Sequence, residues 1–243
     1  MQLQYRRPLA RDFQALLNYT WSHSLDNASN DVVAGFSNTV LSAANDYASS
    51  DFDVRHSFSG ALSYTSPDSS RSGPVALLKK NWSVDTVLIA RTGFPFNAVL
   101  LTVSPVPGGA THSRPDLVPG QPVWVSNTAA GGGKSLNPAA FLIPSTTRQG
   151  TEGRNDISGF GLVQMDVSIA RKFPISERTN LQFRVDAFNA LNHPNFTNPN
   201  AFVDLGPSFL VSQSMLNRGL GGLNPLFQEG GPRSLQLSLK LSF

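Results

Sequence analysis

Seven stretches of this chain alternate apolar and polar residues with a period of two, the signature of β-strands with two unlike faces. The strictest is the closing SLQLSLKLSF. Leu235, Leu237, Leu239, Leu241 and Phe243 fall on one face, and Ser234, Gln236, Ser238, Lys240 and Ser242 on the other. The same pattern predicts strands over Gln2–Arg7, Asp12–Ser22, Val54–Thr65, Trp82–Arg91, Gly161–Phe173 and Asn180–Ala190. An all-β, antiparallel fold follows.

The connections between these strands alternate in length. Residues 8–11, 66–81 and 174–179 form the shorter ones, while 23–53, 92–160 and 191–233 form long ones. Long structureless loops are out of place in a compact soluble domain. An outer-membrane barrel is built with short periplasmic turns and long outer loops. Ten strand residues rising about 3.3 Å each, at roughly 40° of tilt, span the ~25 Å apolar band of such barrels. Phe13, Tyr19, Trp21, Tyr64, Trp82, Phe173 and Phe243 stand near strand ends, where interfacial aromatic girdles belong. Asp166, Arg184, Asp186 and Lys240 fall on the polar faces, so the pattern predicts lumen-facing charges there. A secreted β-sandwich, an adhesin or binding module, alternates in the same way but puts its apolar face on a second sheet. It is the main alternative.

Composition narrows the field. Only 14% of residues are charged and the net charge is +3, with basic runs no longer than Arg6–Arg7 and Lys79–Lys80, so no nucleic-acid footprint is present. The absence of cysteine excludes disulfide scaffolds, thiolate zinc sites and cysteine nucleophiles. No apolar run reaches the roughly 18 residues of a spanning helix. The opening MQLQYRRPLARDF already alternates and carries charge, unlike a signal peptide, so a protein of the cell exterior would have its start elsewhere. Seven strands leave two open edges, which hydrocarbon does not tolerate; the chain therefore reads as one arc of a larger barrel.

Chemistry-bearing motifs are few. TAAGGGKS (128–135) has Thr128 where a phosphate-binding loop needs glycine, and it lies in the longest connection, so it reads as a flexible glycine loop. His23 and His56 flank one long connection that holds Asp26, Asp46, Asp51 and Asp53, a set able to offer oxygen ligands to a cation. The same aspartates serve equally as turn formers. His112 and His193 complete the histidines and form no metal pair. His56 and Ser57 are neighbours on a strand and point to opposite faces, which disfavours a hydrolase dyad. Arg184 and Asp186 share a face and are expected to pair with each other or with whatever fills the lumen. FNALNHPNF (188–196) reads as a strand end entering a turn. No cofactor, metal site or catalytic set follows, and the chain is expected not to be an enzyme.

Several stretches together carry a family resemblance. They are YRRPLARDFQALLNYTWSHSLDNAS, DFDVRHSFSGALSY, RTGFPFN, RNDISGFGLVQMDVSIARKFPISERTNLQFRVDAFNALNHPNFTNP and GGPRSLQLSLKLSF. In order, they resemble the C-terminal barrel region of TonB-dependent outer-membrane receptors, closest to the Oar-like branch common in acidobacteria. The resemblance spans nearly all of 1–243. It implies a 22-stranded barrel around an N-terminal plug, of which this chain shows the last seven strands and none of the plug, TonB box or signal peptide. It implies uptake of a scarce nutrient across the outer membrane, with an unidentified extracellular ligand, lipid as solvent, and TonB reached only through the missing parts. A truncated product without a function of its own is the remaining alternative. In such proteins the last strand is read by the barrel-assembly machinery, and Leu237, Leu239, Leu241 and Phe243 match that signal. The resemblance predicts that Phe243→Ala in the full-length receptor lowers its amount in the outer membrane, as measured by surface labelling.

Overall fold

The computed structural model describes residues 1–10, 12–27, 29, 46–66, 80–106, 109–145, 148–216 and 230–243. Seven strands form one antiparallel sheet: β1 (Gln2–Ala10), β2 (Phe13–Trp21), β3 (His56–Thr65), β4 (Trp82–Arg91), β5 (Leu162–Pro174), β6 (Asn180–Phe188) and β7 (Ser234–Ser242). Their order in the sheet is their order in the chain, a pure meander with β1 and β7 at its edges. All seven expected strands are present, and each lies within a few residues of its predicted limits. The largest difference is β1, which continues past Arg7 through Pro8 to Ala10, with a register irregularity between Arg7 and Ala10. Proline lacks the N–H of a ladder donor, and an edge strand is where a sheet accommodates it.

Register makes the faces continuous across strands. Leu237 lies opposite Val185, Val185 opposite Ile169 and Ile169 opposite Val84. Val84 lies opposite Tyr64, and Tyr64 opposite Phe13. The other face carries Ser238 opposite Arg184, Asp186 opposite Ser168, and Ser168 opposite Asp85. The apolar face is bare. Leu237 and Leu239 are each 68% exposed, Leu3 is 58% exposed, and Leu62, Tyr64, Ile169 and Phe183 are exposed beside them. Among the described residues no second sheet covers this face. A sandwich would bury these side chains; a lipid bilayer is the environment in which leaving them bare costs nothing.

The two ends of the sheet differ. At one end β1 runs out beside the start of β2, β3 beside the start of β4 and β5 beside the start of β6, and there Phe13, Tyr64, Trp82, Phe173 and Phe243 gather. Arg171 stacks there on Trp82 at 5.2 Å and Phe173 at 4.7 Å, and Arg7 on Phe13 at 5.2 Å. Cations held against aromatic rings at the edge of an apolar band suit a headgroup interface. Tyr19 and Trp21 stand at the opposite end, from which all three long connections leave.

The described residues of those connections are structured, which the strand pattern does not foretell. Short antiparallel pairs join Val103–Val106 to Gly109–His112, Trp124–Ser126 to Lys134–Leu136, Asp116–Leu117 to Phe141–Leu142, and Pro95–Phe96 to Ile157–Ser158. Leu25–Asp26 pairs with Ala48–Ser49 in the first long connection. Among the described residues the buried hydrophobic cluster lies here, around Ala98, Leu136, Ala140, Phe141, Ile157, Ala201 and Leu210, and includes no residue of the seven-stranded sheet.

The two faces make opposite demands on a charge at mid-strand. Leu239→Arg should destabilise insertion into lipid vesicles by ~2–4 kcal/mol, whereas Ser238→Arg on the adjacent, polar-face position should change it by less than about 1 kcal/mol. Denaturant titration of folding into vesicles measures both.

Candidate functional site

The crown of long connections is held to the strands by asparagines. Past the end of β6, the upper edge of β5 has no strand beside it. The Asn195 side chain fills that place: its Oδ1 accepts from Val163 N at 2.8 Å and its Nδ2 donates to Val163 O at 3.0 Å. Ala190 N donates to Met165 O at 2.7 Å, and Asn189 N to Asp166 at 2.8 Å. Asn189 Nδ2 donates to Gly231 O at 2.7 Å and its Oδ1 accepts from His193 N, so the turn closes on itself and on the start of β7. Asn189 and Asn192 have φ of 46° and 50°, a conformation asparagine tolerates well. FNALNHPNF is thus an adapter between strand and loop. Its asparagines were legible as turn formers; their role as strand substitutes requires the fold.

A second tie joins the first two long connections. Arg154 is 3% exposed. Its Nη1 donates to Asp26 Oδ1 at 2.7 Å, to the Asp26 carbonyl at 3.0 Å and to the Asp46 carbonyl at 3.2 Å, and its Nη2 to Ser29 Oγ at 2.6 Å. Asn155 Nδ2 donates to Ser49 O and Asp51 Oδ1, both at 2.7 Å. Only a guanidinium has enough fixed donors for so many acceptors. Removing one partner of such a buried set typically costs 3–5 kcal/mol, roughly the effect expected for loss of Arg154. Asp26 is partly desolvated, which raises its pKa, but hydrogen bonds from Arg154, Ser50 and Ser29 outweigh this and hold it below the usual value.

The same geometry shows where the aspartates of this connection go. Asp46 pairs with Arg114 at 3.0 Å, Asp53 with Arg55 at 3.1 Å, and Asp26 and Asp51 with Arg154. His23 meets Arg55 at 2.7 Å and His56 meets the Tyr19 hydroxyl at 2.7 Å. The aspartates converge as the sequence suggested, but on arginines. Among the described residues no group of three metal-ligating side chains remains.

TAAGGGKS is a loop, as expected, but a packed one. It is a packed turn between Trp124–Ser126 and Lys134–Leu136, followed by a strand rather than a helix. A side chain at Gly132, where φ is 75°, would run into the Phe160 ring, and one at Gly131 into Phe196. Lys134 Nζ sits 4.0 Å from the Trp124 ring centre and 4.6 Å from that of Phe160, and burial lowers its pKa. Trp124, Phe160 and Phe196 continue as an aromatic spine, with centroids 5.5 and 5.9 Å apart. The spine binds the second long connection to the third.

Where these ties meet the tops of β3 and β4 they leave a hollow of about 710 Å3, lined by Asp53, Arg55, His56, Arg91, Asn155 and Asp156 among others. Gly93 forms part of its wall, and a Cβ there would lie 2.4 Å from the Gly159 carbonyl carbon, so backbone meets backbone. RTGFPFN and RNDISGFG, two stretches of the family resemblance, are the two sides of this junction.

A membrane-facing sheet, short turns at one end and a packed loop crown at the other now stand together. An outer-membrane barrel family model matches residues 1–221. The chain belongs to the outer membrane beta barrel domain family. Membership in that family assigns the chain to an outer membrane. No curated protein and no solved structure matches the chain. Within this barrel protein, Leu237, Leu239 and Leu241 lie on the bare face of β7 with Phe243 just beyond it. Asp166, Arg184, Asp186 and Lys240 all lie on the polar face. Arg184 Nε donates to Asp186 at 2.8 Å, Gln164 donates to Asp166 at 2.9 Å, and Lys240 lies opposite Gln182. The charges are thus spread over three strands rather than gathered into one site.

Among the described residues of the crown, Glu152 is the one strongly perturbed acid. Burial raises its pKa from 4.5 to about 8, against the lowering effect of an Ala98 N–H bond. That N–H reaches Oε1 at 2.8 Å, while Oε2 has no partner among the described residues. A raised carboxyl pKa stabilises the folded crown fully below pH 4.5, and the contribution is lost as pH rises to about 8. The slope in that window is about 1.4 kcal/mol per pH unit. Limited proteolysis should show the loops growing more susceptible from pH 6 to pH 8, and Glu152→Gln should remove that dependence.

Proposed function

We propose that this chain is a C-terminal arc of a TonB-dependent receptor barrel, and that the whole receptor imports a scarce nutrient. The observation that carries this reading is the pairing of two open sheet edges with a bare apolar face. Backbone groups of an edge strand cannot stay unpaired in hydrocarbon, so β1 and β7 meet further strands in the membrane. A barrel enlarged in this way encloses the polar face. The Arg184–Asp186 pair, Asp166 and Lys240 then line a lumen wide enough for a plug, and a wide, plugged barrel is the architecture of active importers.

The loop crown supports capture of a ligand from outside. It is rigidly tied by Arg154, Asn195 and the aromatic spine, and it contains a polar hollow at the strand tops. The reading is of a receptor, not an enzyme. Coupling to TonB would pass through the plug region of the receptor, and insertion through recognition of β7 by the assembly machinery. A secreted sandwich has no counterpart to the uncovered leucines of β7.

Deleting the gene and growing cells on single limiting nutrients tests the reading. The panel contains ferric siderophores, cobalamin, oligosaccharides and peptides. Growth should fail on one of them, to the same degree as in a TonB-deficient strain and with no further loss in the double mutant. Unimpaired growth on every nutrient, or a loss that adds to that of the TonB deficiency, would sink it.

A further inference from the structure

The two faces of the sheet are charged by different rules. The polar face mixes signs, with Arg184 and Lys240 among Asp85, Asp166 and Asp186. Among the described strand residues, the apolar face carries two charged side chains and no aspartate or glutamate. Arg7 lies opposite Ala15, and Arg171 lies opposite Trp82 on one side and Phe183 on the other. Both are cations.

A cation facing lipid is costly at mid-bilayer and nearly free at the interface. Arg7 and Arg171 both reach the aromatic rings at the inner end of the sheet, the end away from the long connections. Arg171 stands three residues before Pro174, where β5 ends. That places it within about 10 Å of the end of the strand, in reach of headgroups. Its guanidinium lies 4.7 Å from the centre of the Phe173 ring and 5.2 Å from that of Trp82. A guanidinium held by its face keeps its N–H donors at its edge, a planar fork that fits two oxygens of one phosphate.

The charges nearby select among phosphates. Lys172 N donates to Asn81 O at 3.0 Å, which brings Lys80 to the side of β5 next to Arg171. Arg178 stands in the turn from β5 to β6, residues 175–179, where Glu177 is the one acid. Positive charge is in excess, so a lipid of net negative charge is preferred to a zwitterionic one. The end of an outer-membrane barrel with short turns faces the periplasm, and so meets the phospholipid leaflet.

We propose that Arg171, between Trp82 and Phe173, seats the phosphate of an anionic phospholipid in the inner leaflet of the outer membrane. The inference needs the barrel family and its orientation, and is independent of the uptake reading.

The test uses the protein at its full natural length, purified from outer membranes in a non-ionic detergent. Native mass spectrometry counts bound lipid during titration with phosphatidylglycerol or with phosphatidylethanolamine of the same tails. Phosphatidylglycerol should bind about tenfold more tightly, and millimolar inorganic phosphate should not displace it. Arg171→Gln should bring the two lipids to within about twofold of each other. Arg171→Lys keeps the charge without the fork and should lower the preference about threefold. Arg6→Gln removes an equal charge from the polar face and should leave the preference unchanged. The proposal falls if the two lipids bind equally well to the unaltered protein, or if neither Arg171 variant lowers the preference. It falls too if phosphate displaces the lipid, which marks a site for a soluble anion. An equal effect of Arg6→Gln and Arg171→Gln marks a diffuse field of charge and also overturns it. Should Arg171→Gln not assemble, Arg171→Lys decides alone.

Discussion

A peptide group in hydrocarbon has no water to bond, and every feature of this sheet follows from that. The meander order lets each strand pair with its neighbour at once through a turn or an outer loop. The register places Leu237, Val185, Ile169, Val84 and Tyr64 in one row, so a single face meets lipid. Slipping any one strand by a residue would turn its apolar set into the polar face and expose serines to the membrane. The sheet's apolar face therefore needs no protein core, and among the described residues none covers it.

The crown obeys the opposite rule. Above the membrane, water competes for every polar group, and the loops must bury apolar surface to hold a shape. They do so around Leu136, Phe141 and Ile157, and use Arg154 and the Trp124–Phe160–Phe196 spine to join segments far apart in the chain. One chain thus contains two folding regimes, inverted with respect to each other. The Asn195 side chain stands at their border.

This division also explains what the sequence discloses. Period two is a local property, so all seven strands could be read from it, as could the face on which Asp166, Arg184, Asp186 and Lys240 lie. The extent of β1 was missed because Pro8 interrupts a pattern that an edge strand can nevertheless continue. The crown was illegible for a different reason. Arg154 meets Asp26 across more than a hundred residues, and no periodicity announces such a meeting. Asp26, Asp46, Asp51 and Asp53 were visible as a cluster, but the cations that claim them, Arg154, Arg114 and Arg55, carry no spacing signal. The glycines of TAAGGGKS looked like looseness and are in fact a fit against two phenylalanine rings.

The Asn195 clip has a consequence for how such a protein diversifies. A loop that joins a strand through its own backbone must keep the strand's register, and any insertion propagates into the membrane. A loop seated by a side-chain amide has a socket instead. Residues beyond Asn195 can lengthen, shorten or change sequence while the two bonds to Val163 hold the base in place. The membrane wall and the surface it presents to the outside can then evolve at different rates, one as a chassis and the other as an interchangeable insert.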